Sequence, residues 1–441
     1  MEYAVYFPGG GEVKLDISPL KRPGTIRWLE ISSSKWEKRQ ELKPAQSVTL
    51  GPPESGAWVA LLVEGTALPS GNGNATSAQT IQAPYPSSQV VRAMRLDWST
   101  HKRFAQGSDN FQLAWADDNH LYGAWGDGGG FGGTNADGRV SLGVARVEGP
   151  WKDYSGYNVW GGKHAENPAQ FKGKSWGMIC IKGVLYMWVV PDYSKDGQIS
   201  HYSEARLAKS TDHGTHWTKA NWAFFESEKL IIPTICNFGK NYDGARDNYV
   251  YHYFICPQEY LPPRDIKRVA RDLIVHKPGR IYLARVHKDE IFDGRDNYEF
   301  FTGLDKNGSP KWGGVSAKQP VFEDKNGTGW CMSVSYNPGL GRYILCTEHT
   351  ESCKGNLGVF DAPEPWGPWT TVEYIDGWGK GHVELNNFFW SFPTKWLSND
   401  GREFTLAFTG AGGGLNNDSF NTVRGRFILK DVSGRPAVRN P

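Results

Sequence analysis

Residues 107–131 read GSDNFQLAWADDNHLYGAWGDGGGF, in which two short apolar runs, 111–115 and 121–125, flank a polar segment. The polar segment, Ala-Asp-Asp-Asn-His, has the composition of a tight turn. This pattern predicts a β-hairpin with Asp109 just outside its first strand and Asp127 just after its second. Because the start of one hairpin strand lies beside the end of the other, we expect these two carboxylates to be neighbours.

The glycines around Asp127 suggest a second feature of this hairpin end. Glycine leaves the backbone bare, which suits a surface that a ligand approaches closely. The alternative interpretation is that Asp109 and Asp127 only cap turns. Their expected position at one end of a single hairpin favours a chemical role for the pair.

The composition indicates an all-β protein. Among the 441 residues are 53 glycines, 19 tryptophans and 19 tyrosines, and glycine-rich turns between short aromatic strands are typical of this class. The 49 basic and 47 acidic residues give a net charge of +2, so we expect no nucleic-acid partner. No run of about 18 apolar residues occurs, so no membrane-spanning helix is predicted. The six cysteines show no zinc-binding spacing.

The sequence divides into three predicted parts. Residues 1–64 alternate around glycine turns and predict a small β-sandwich accessory domain. Residues 65–88 are rich in Gly, Ser, Asn and Pro, which predicts a linker. Residues 89–441 consist of short strands and turns without sustained helical periodicity. At about 60–70 residues per four-stranded blade, this last part has the length of a five-bladed β-propeller.

Two segments resemble known structural motifs. The N-terminal pattern YAVYFPGGG at 3–11, followed by IRWL at 26–29 and GAWVALL at 56–62, resembles the collagen-binding-type domain at the end of some bacterial glycosidases. A spacer or a carbohydrate-binding accessory is the preferred interpretation of that domain. Ser210-Thr-Asp-His-Gly-Thr-His-Trp217 fits the Asp-box turn of sialidase-like propellers. In that turn the aspartate is structural, so Asp212 is not predicted to be catalytic.

Further motifs occur in the order of one known family. They are GSDN at 107–110, WADD at 115–118, GDG at 126–128, KSWGM at 174–178, GKNYDGARD at 239–247, YEFF at 298–301, APEPWGPW at 362–369, FPTKWLSNDG at 392–401 and DSFN at 418–421. Together they resemble the domain-of-unknown-function family 4185, some of whose members are endo-D-arabinanases with a five-bladed propeller. The resemblance spans residues 95–430, and it extends loosely to the propeller glycosidases of families 43, 32 and 117.

The resemblance implies a glycoside hydrolase that acts at the mouth of the propeller channel. Its substrate would be a polysaccharide or oligosaccharide, with an arabinan-like polymer as the family's example. We expect a monomer that is secreted or periplasmic in a bacterium, although no signal peptide precedes the strand pattern that begins at Tyr3.

Glycoside hydrolysis needs two carboxyl groups, one as acid and the other as base or nucleophile. Asp109 is the predicted base or nucleophile, because it begins the first strand of the first blade. Asp127 is its predicted partner, or the group that shifts the pKa of the acid. The candidates for the acid, in order of preference, are Glu166, Glu384 and Glu299.

Other side chains are candidates for substrate binding: Lys174, Trp176, His164, His382, Trp330 and Trp125. Lys174 begins an apolar strand, so it is expected to face the channel and to bind a substrate hydroxyl or carboxylate, with a solvated turn lysine as the alternative. The tryptophans are candidate platforms for sugar rings, and core packing is the alternative. The histidines are candidate acid–base groups or ordinary surface residues.

No cofactor and no metal site are predicted. The fragment Asp-Lys-Asn-Gly at 305–308 and again at 324–327 resembles part of a calcium loop, but neither copy continues to the remaining ligands. A calcium ion in the propeller channel is kept as an alternative.

Two other functions compete with the hydrolase. A polysaccharide lyase would need a cation to neutralise a uronate and a histidine or tyrosine as base, and Lys174, Arg246, His164 and His382 are available for these roles. The second alternative is a propeller that binds carbohydrate without catalysis.

Overall fold

The computed structural model describes residues 2–18, 24–30, 35–36, 40–43, 46–53, 55–64, 81–191, 204–258 and 273–430. The chain separates into two compact units, Met1–Thr80 and Ile81–Pro441. Residues 65–80 of the predicted linker lie outside the described residues. Within the described ranges, no helix is long and apolar enough to cross a membrane.

The first unit consists of two antiparallel sheets. Its strands are Glu2–Phe7 (β1), Val13–Asp16 (β2), Gly24–Glu30 (β3), Lys35–Trp36 (β4), Gln40–Leu42 (β5), Ser47–Leu50 (β6) and Trp58–Glu64 (β7). The larger sheet has the order β1-β7-β3-β4 with β5 also paired to β3, and the smaller sheet pairs β2 with β6. Trp28 and Trp58 from the larger sheet and Leu50 from the smaller one are buried in a common core. The small β-sandwich predicted from the sequence is therefore present.

The second unit is built almost entirely of strands. In chain order they are Val91–Phe104 (β8), Asp109–Trp115 (β9), Leu121–Gly126 (β10), Leu142–Glu148 (β11), Ser155–Trp160 (β12), Gly173–Ile181 (β13), Val184–Pro191 (β14), Glu204–Ser210 (β15), Thr218–Lys219 (β16), Phe224–Phe225 (β17), Ile231–Ile235 (β18), Tyr249–Ile255 (β19), Val275–His276 (β20), Gly279–His287 (β21), Glu299–Leu304 (β22), Pro310–Gly313 (β23), Pro320–Asp324 (β24), Thr328–Gly329 (β25), Ser333–Asn337 (β26), Arg342–Glu348 (β27), Leu357–Ala362 (β28), Thr370–Ile375 (β29), Phe388–Ser391 (β30), Glu403–Thr409 (β31) and Phe420–Leu429 (β32). The helical segments described are single 3-10 turns at Glu226–Glu228, Lys240–Tyr242, Arg295–Asn297, Val315–Ala317, Thr394–Trp396 and Gly414–Asn416.

These strands form five blades arranged in a ring. Each blade is an antiparallel sheet, and its first strand contacts the first strand of the next blade, in the order β9, β13, β18, β26, β30 and back to β9. A parallel bridge joins Asn237, just after β18, to Ser335 in β26, so neighbouring first strands run in the same direction. The second unit is therefore a five-bladed β-propeller, as the sequence predicted. We call the end at which the first strands begin the upper face, and the other end the lower face.

The ring is closed by pairing the beginning of this unit with its end. The last blade has the order β30-β31-β32-β8, so β8, which precedes the first blade, supplies its outermost strand. The pairing runs from Phe104 opposite Phe420 to Val91 opposite Leu429.

The cores of the propeller lie between blades. Trp217, the last residue of the Asp-box turn, is 7% exposed and packs with apolar residues of the first and second blades. Asp212 accepts hydrogen bonds from Ser210 and from the backbone N–H of His216. The turn follows β15 at the lower face, which agrees with the structural role expected for Asp212.

The hairpin predicted from residues 107–131 is confirmed. Strands β9 and β10 are joined by a turn in which Asn119 has a left-handed backbone (φ 70°) and the N–H of Ala116 donates to the carbonyl of His120. At the other end of the hairpin, Asp109 lies opposite Gly126. This register brings Asp109 and Asp127 to the upper face together.

Candidate active site

Three carboxyl groups meet at the upper face. Asp109 begins β9, Asp127 follows β10, and Asp418 lies just before β32 in the last blade. The carbonyl of Asp418 accepts a hydrogen bond from the N–H of Gly107, at 2.6 Å, which ties the last blade to the start of the first. Asp109 interacts electrostatically with both other carboxyl groups. The structure thus brings the predicted pair together and adds a third carboxyl group.

Two cations bind the same oxygen of Asp127. The Lys174 ammonium donates to Asp127 Oδ1, and the Arg139 guanidinium approaches it at 3.0 Å. Lys174 lies at the beginning of β13, the first strand of the second blade, as expected from the sequence. A Cβ at Gly126 would lie 2.9 Å from Asp109 Oδ1 and 3.1 Å from the Lys174 side chain. Glycine at this position therefore allows Lys174 and Asp109 to come close.

The pKa values of the Asp109 and Asp418 carboxyl groups are both raised. Burial raises the pKa of Asp109 well above its usual value, and the neighbouring Asp418 and Asp127 raise it further. Asp109 keeps a small exposed area, although protein atoms surround it densely. Burial, with the charge of Asp127, also raises the pKa of Asp418 to about 6. The cluster thus combines a carboxylate paired with two cations, a carboxyl group that favours its protonated form, Asp109, and a third acid, Asp418, that is largely ionised at neutral pH.

The glycine-rich segment after Asp127 is packed rather than open. Gly128, Gly129 and Gly130 are buried, and a Cβ at Gly129 would lie 2.1 Å from the carbonyl oxygen of Asp137. The N–H of Gly130 donates to Ser108 Oγ at 2.9 Å. The expectation that these glycines expose backbone to a ligand is therefore corrected, because they fix the loop that carries Asp127.

A fourth carboxyl group, Glu348, ends the second strand of the fourth blade and is completely buried. It accepts hydrogen bonds from Ser352 Oγ at 2.9 Å and from the N–H of Cys353 at 2.6 Å. Burial raises the pKa of Glu348 to about 7. The Cys353 thiol interacts electrostatically with Glu348, Asp109 and Asp418. Because one thiol is near all three carboxyl groups, Glu348 lies beside the cluster, on the side of the fourth blade.

The three glutamates predicted as the acid do not join this cluster. Glu166 forms an ion pair with Arg146 on the third strand of the first blade, at 2.9 Å. Glu299 begins the fourth strand of its blade, at the lower face, and pairs with Arg285 at 2.8 Å. Glu384 lies in the loop before the last blade with its side chain exposed.

The predicted sugar platforms are interior residues. Trp125 is completely buried, and the positions of Gly130, Gly143 and Gly162 leave space only for its ring. Trp176 is 3% exposed. Neither tryptophan offers an accessible ring face.

The remaining candidates lie close to Glu348 or on the surface. Trp330 is 5% exposed and donates its indole N–H to Ser352 Oγ, the same oxygen that donates to Glu348. His164 is exposed. His382 stacks on Trp98 of the closing strand, with 4.8 Å between ring centroids.

A cleft of about 630 Å³ opens beside Asp127 between the first two blades. Asp127 and Arg139 form its inner end, and Leu142, Phe171 and Lys172 line the rest. The channel below the cluster is much narrower. The cavity lined by Gln112, Thr234 and Ser335, among others, has a volume of about 20 Å³, enough for about one water molecule. A sugar chain therefore fits the cleft at the channel mouth and not the channel itself.

Possible metal ligands lie away from the carboxyl cluster. Asp117, Asp118 and His213 place one ligand atom each within 4.8 Å of one another at the lower face, and His213 Nε2 is hydrogen-bonded to Asp117 Oδ1 at 2.9 Å. In the two fragments that resemble calcium loops, Asp305 and Asp324 accept hydrogen bonds from backbone N–H groups of their own turns. The calcium alternative stays a prediction.

Three residues of the site were missed by the sequence analysis: Asp418, Glu348 and Arg139. Asp418 and Glu348 adjoin a buried strand end at the upper face, as Asp127 does, so a charged residue next to an apolar strand is the signal that points to them. Arg139 lies in an irregular loop and has no such signal.

Comparison with known proteins gives only distant similarities. No family model matches the chain, and no curated protein matches it. A solved RS223 β-xylosidase is 14% identical over 75% of this chain and 94% of that chain, with a TM-score of 0.42. A GH43_1 enzyme from Xanthomonas citri is 14% identical over 76% and 90%, with a TM-score of 0.39. An exo-beta-1,3-galactanase from Phanerochaete chrysosporium is 12% identical over 78% and 64%, with a TM-score of 0.40. These values assign neither a family nor an activity, so the resemblance to family 4185 stays a prediction.

Proposed function

We propose that the protein is a glycoside hydrolase whose reaction takes place at Asp109 and Asp127. The observation that carries this proposal is the pair of opposite environments of these neighbouring carboxyl groups. Asp109 is buried beside two other acids and favours the protonated form, whereas Asp127 is bound by Lys174 and Arg139. Carboxyl groups whose environments differ in this way divide the acid and base roles between them.

These environments favour roles for the two aspartates that are the reverse of those predicted from the sequence, in which Asp109 was the base or nucleophile and Asp127 its partner. Asp109 is the acid that donates its proton to the leaving glycosidic oxygen. Asp127, paired with Lys174 and Arg139, is the base or nucleophile on the other side of the bond. Asp418 acts through Asp109, because its negative charge raises the pKa of that carboxyl group.

The substrate we propose is a polysaccharide of the arabinan-like class, bound across the channel mouth. The cleft beside Asp127 offers the partly exposed side chains of Phe171 and Val140 to sugar CH groups. It also offers the charged ends of Arg139 and Lys172 to hydroxyl groups. A chain lying in this cleft would pass directly over Asp127.

The residues named for a polysaccharide lyase do not assemble. Lys174 is engaged by Asp127, and Arg246 pairs with Glu364. His382 stacks on Trp98. The geometry therefore favours hydrolysis over elimination.

The test is a digest of arabinan, xylan, galactan and a uronate-containing polysaccharide, with products read by mass and by ultraviolet absorbance. The Asp109→Asn and Asp127→Asn proteins should each lose activity by about 100-fold or more, since each removes a proton-transfer or nucleophilic group. The Glu166→Gln, Glu299→Gln and Glu384→Gln proteins are matched controls and should keep activity close to that of the unchanged protein. Full activity of the Asp109→Asn protein, or products that carry the ultraviolet absorbance of an unsaturated uronate, would contradict the proposal.

A further inference from the structure

A second cavity, of about 400 Å³, lies at the lower face where the first and last blades meet. Three turns form it: the hairpin turn after β9, the turn between β11 and β12, and the 3-10 turn after β30. Its lining residues are Trp115, Asp118, Asn119, His120, Gly149, Pro150, Trp151, Lys395 and Trp396. Asp109 begins β9 and Trp115 ends it, so the cavity and the carboxyl cluster are at opposite ends of one strand.

Three tryptophan rings surround this cavity. Trp115 and Trp151 each keep part of their surface exposed, and Trp396 is 3% exposed. The indole N–H of Trp115 donates to Asn119 Oδ1 at 3.0 Å, and the Arg424 guanidinium lies 4.6 Å above the ring of Trp151. Because these contacts fix the ring orientations, the aromatic surface is in place before any ligand arrives.

The polar groups of the cavity include both signs of charge and both donors and acceptors. Asp118 contributes a carboxylate, Asn119 an amide and Lys395 an ammonium group, which also donates to the Asn119 carbonyl. A cavity that presents a carboxylate, an amide and an ammonium group beside aromatic rings suits a ligand with CH faces and hydroxyl groups.

We propose that this cavity is a second carbohydrate-binding site, separate from the carboxyl cluster, for a neutral sugar unit of a glycan. Sugar CH groups would pack on Trp115 and Trp151, and the hydroxyl groups would exchange hydrogen bonds with Asp118, Asn119 and Lys395. The balanced charge of the last three residues favours an uncharged sugar over an anionic ligand, and their polarity excludes a purely apolar one. The site would hold a polymer to the protein without cleaving it.

The experiment is native gel electrophoresis of the Asp109→Asn protein in gels that contain soluble arabinan, xylan or galactan. One of the three polymers should slow the migration of this protein. Adding Trp151→Ala or Asn119→Ala should lower the association constant for that polymer about 10-fold, as expected for loss of a residue central to a binding site. Tyr157→Ala is the matched control, because Tyr157 is 44% exposed and lies outside the cavity. This control should leave the migration unchanged.

Two results would overturn the second site. In the first, the polymers slow both cavity variants as much as they slow the Asp109→Asn protein. In the second, none of the three polymers slows the Asp109→Asn protein. Thermal unfolding of the Trp151→Ala and Asn119→Ala proteins separates loss of binding from loss of folding. Because no turnover is measured, the outcome does not depend on whether the carboxyl cluster hydrolyses glycans.

Discussion

At the scale of single residues, the carboxyl cluster costs folding free energy. Asp109 and Asp418 are placed where burial and a neighbouring acid oppose ionisation. In the unfolded chain the same groups ionise freely at neutral pH. The folded state therefore gains from protonation, and its stability should fall as these groups are forced to ionise. Carboxyl groups with strongly shifted pKa values cluster at functional sites.

Asp418→Asn tests this cost. The pKa of Asp418 is raised from about 3.8 when unfolded to about 6 when folded, so its contribution to stability declines as pH rises between these values and is fully unfavourable above pH 6. The asparagine variant should therefore be more stable than the unchanged protein at pH 7, on the order of 1–3 kcal/mol. The difference should vanish near pH 4. Urea unfolding at both pH values measures it.

The control for this prediction is Asp400→Asn at the surface. Hydrogen bonds from Ser398 and from the N–H of Arg402 lower the pKa of Asp400, so the pH dependence should have the opposite sign. Its loss should not stabilise the protein at pH 7. A stability of the Asp418→Asn protein equal to that of the unchanged protein at pH 7 would contradict the electrostatic account of the cluster.

At the scale of elements, the hairpin of β9 and β10 depends on glycines on the neighbouring strand and loops. The ring of Trp125, on β10, is completely buried, and a Cβ at Gly143 of β11 would lie 2.2 Å from it. Gly143 does not have a left-handed backbone, so this glycine is required for space and not for conformation. The position of Trp125 in turn fixes the end of β10, which leads directly into Asp127.

Gly143→Ala should therefore lower the free energy of unfolding by about 1–3 kcal/mol, the usual cost of overfilling a packed core. It should also reduce activity, because β10 must shift beside Asp127. Gly314→Ala is the matched control, since Gly314 has φ −70° and nothing within 4 Å of the position of its Cβ. Urea unfolding of both variants measures the effect. Equal stability of the two variants would show that Trp125 can move at little cost.

The sequence predicted those parts of the site that depend on local pairing. Asp109 and Asp127 belong to one hairpin, and antiparallel pairing alone brings them to the same end. Asp418 lies beside them only because the ring closes and brings the last blade next to the first. Short-range sequence patterns do not show this closure. Trp125 and Trp176 were ambiguous for a related reason. Strand alternation shows which side chains share a side of a sheet, but not whether a neighbouring blade covers that side.

At the scale of the whole molecule, the propeller is held together by the pairing of β8 with β32. β8 is 14 residues long, and its Val91, Met94 and Leu96 pack in the core between the last two blades. Without this strand, Phe427 and the rest of that core would be open to water on one side. The ring would then remain open at the blade that carries Asp418.

A chain that begins at residue 106 lacks the closing strand and tests this dependence. Loss of its buried apolar side chains should lower the melting temperature by about 10 °C or more. It should also abolish activity. A chain that begins at residue 81 is the control, because it keeps the closing strand, and it should melt at a higher temperature than the chain that begins at residue 106. The prediction would be contradicted if calorimetry gave the same melting temperature for the two truncated chains.

The same closure has a consequence for synthesis in the cell. β8 leaves the ribosome before any blade, but its partner β32 is translated only after the other strands of the five blades. Until β32 is made, the nascent chain therefore carries a long β-strand whose backbone N–H and C=O groups lack their partner strand. Such an edge is a template for intermolecular pairing, so a chaperone that shields the early strand should raise the yield of active protein more than one that acts after release.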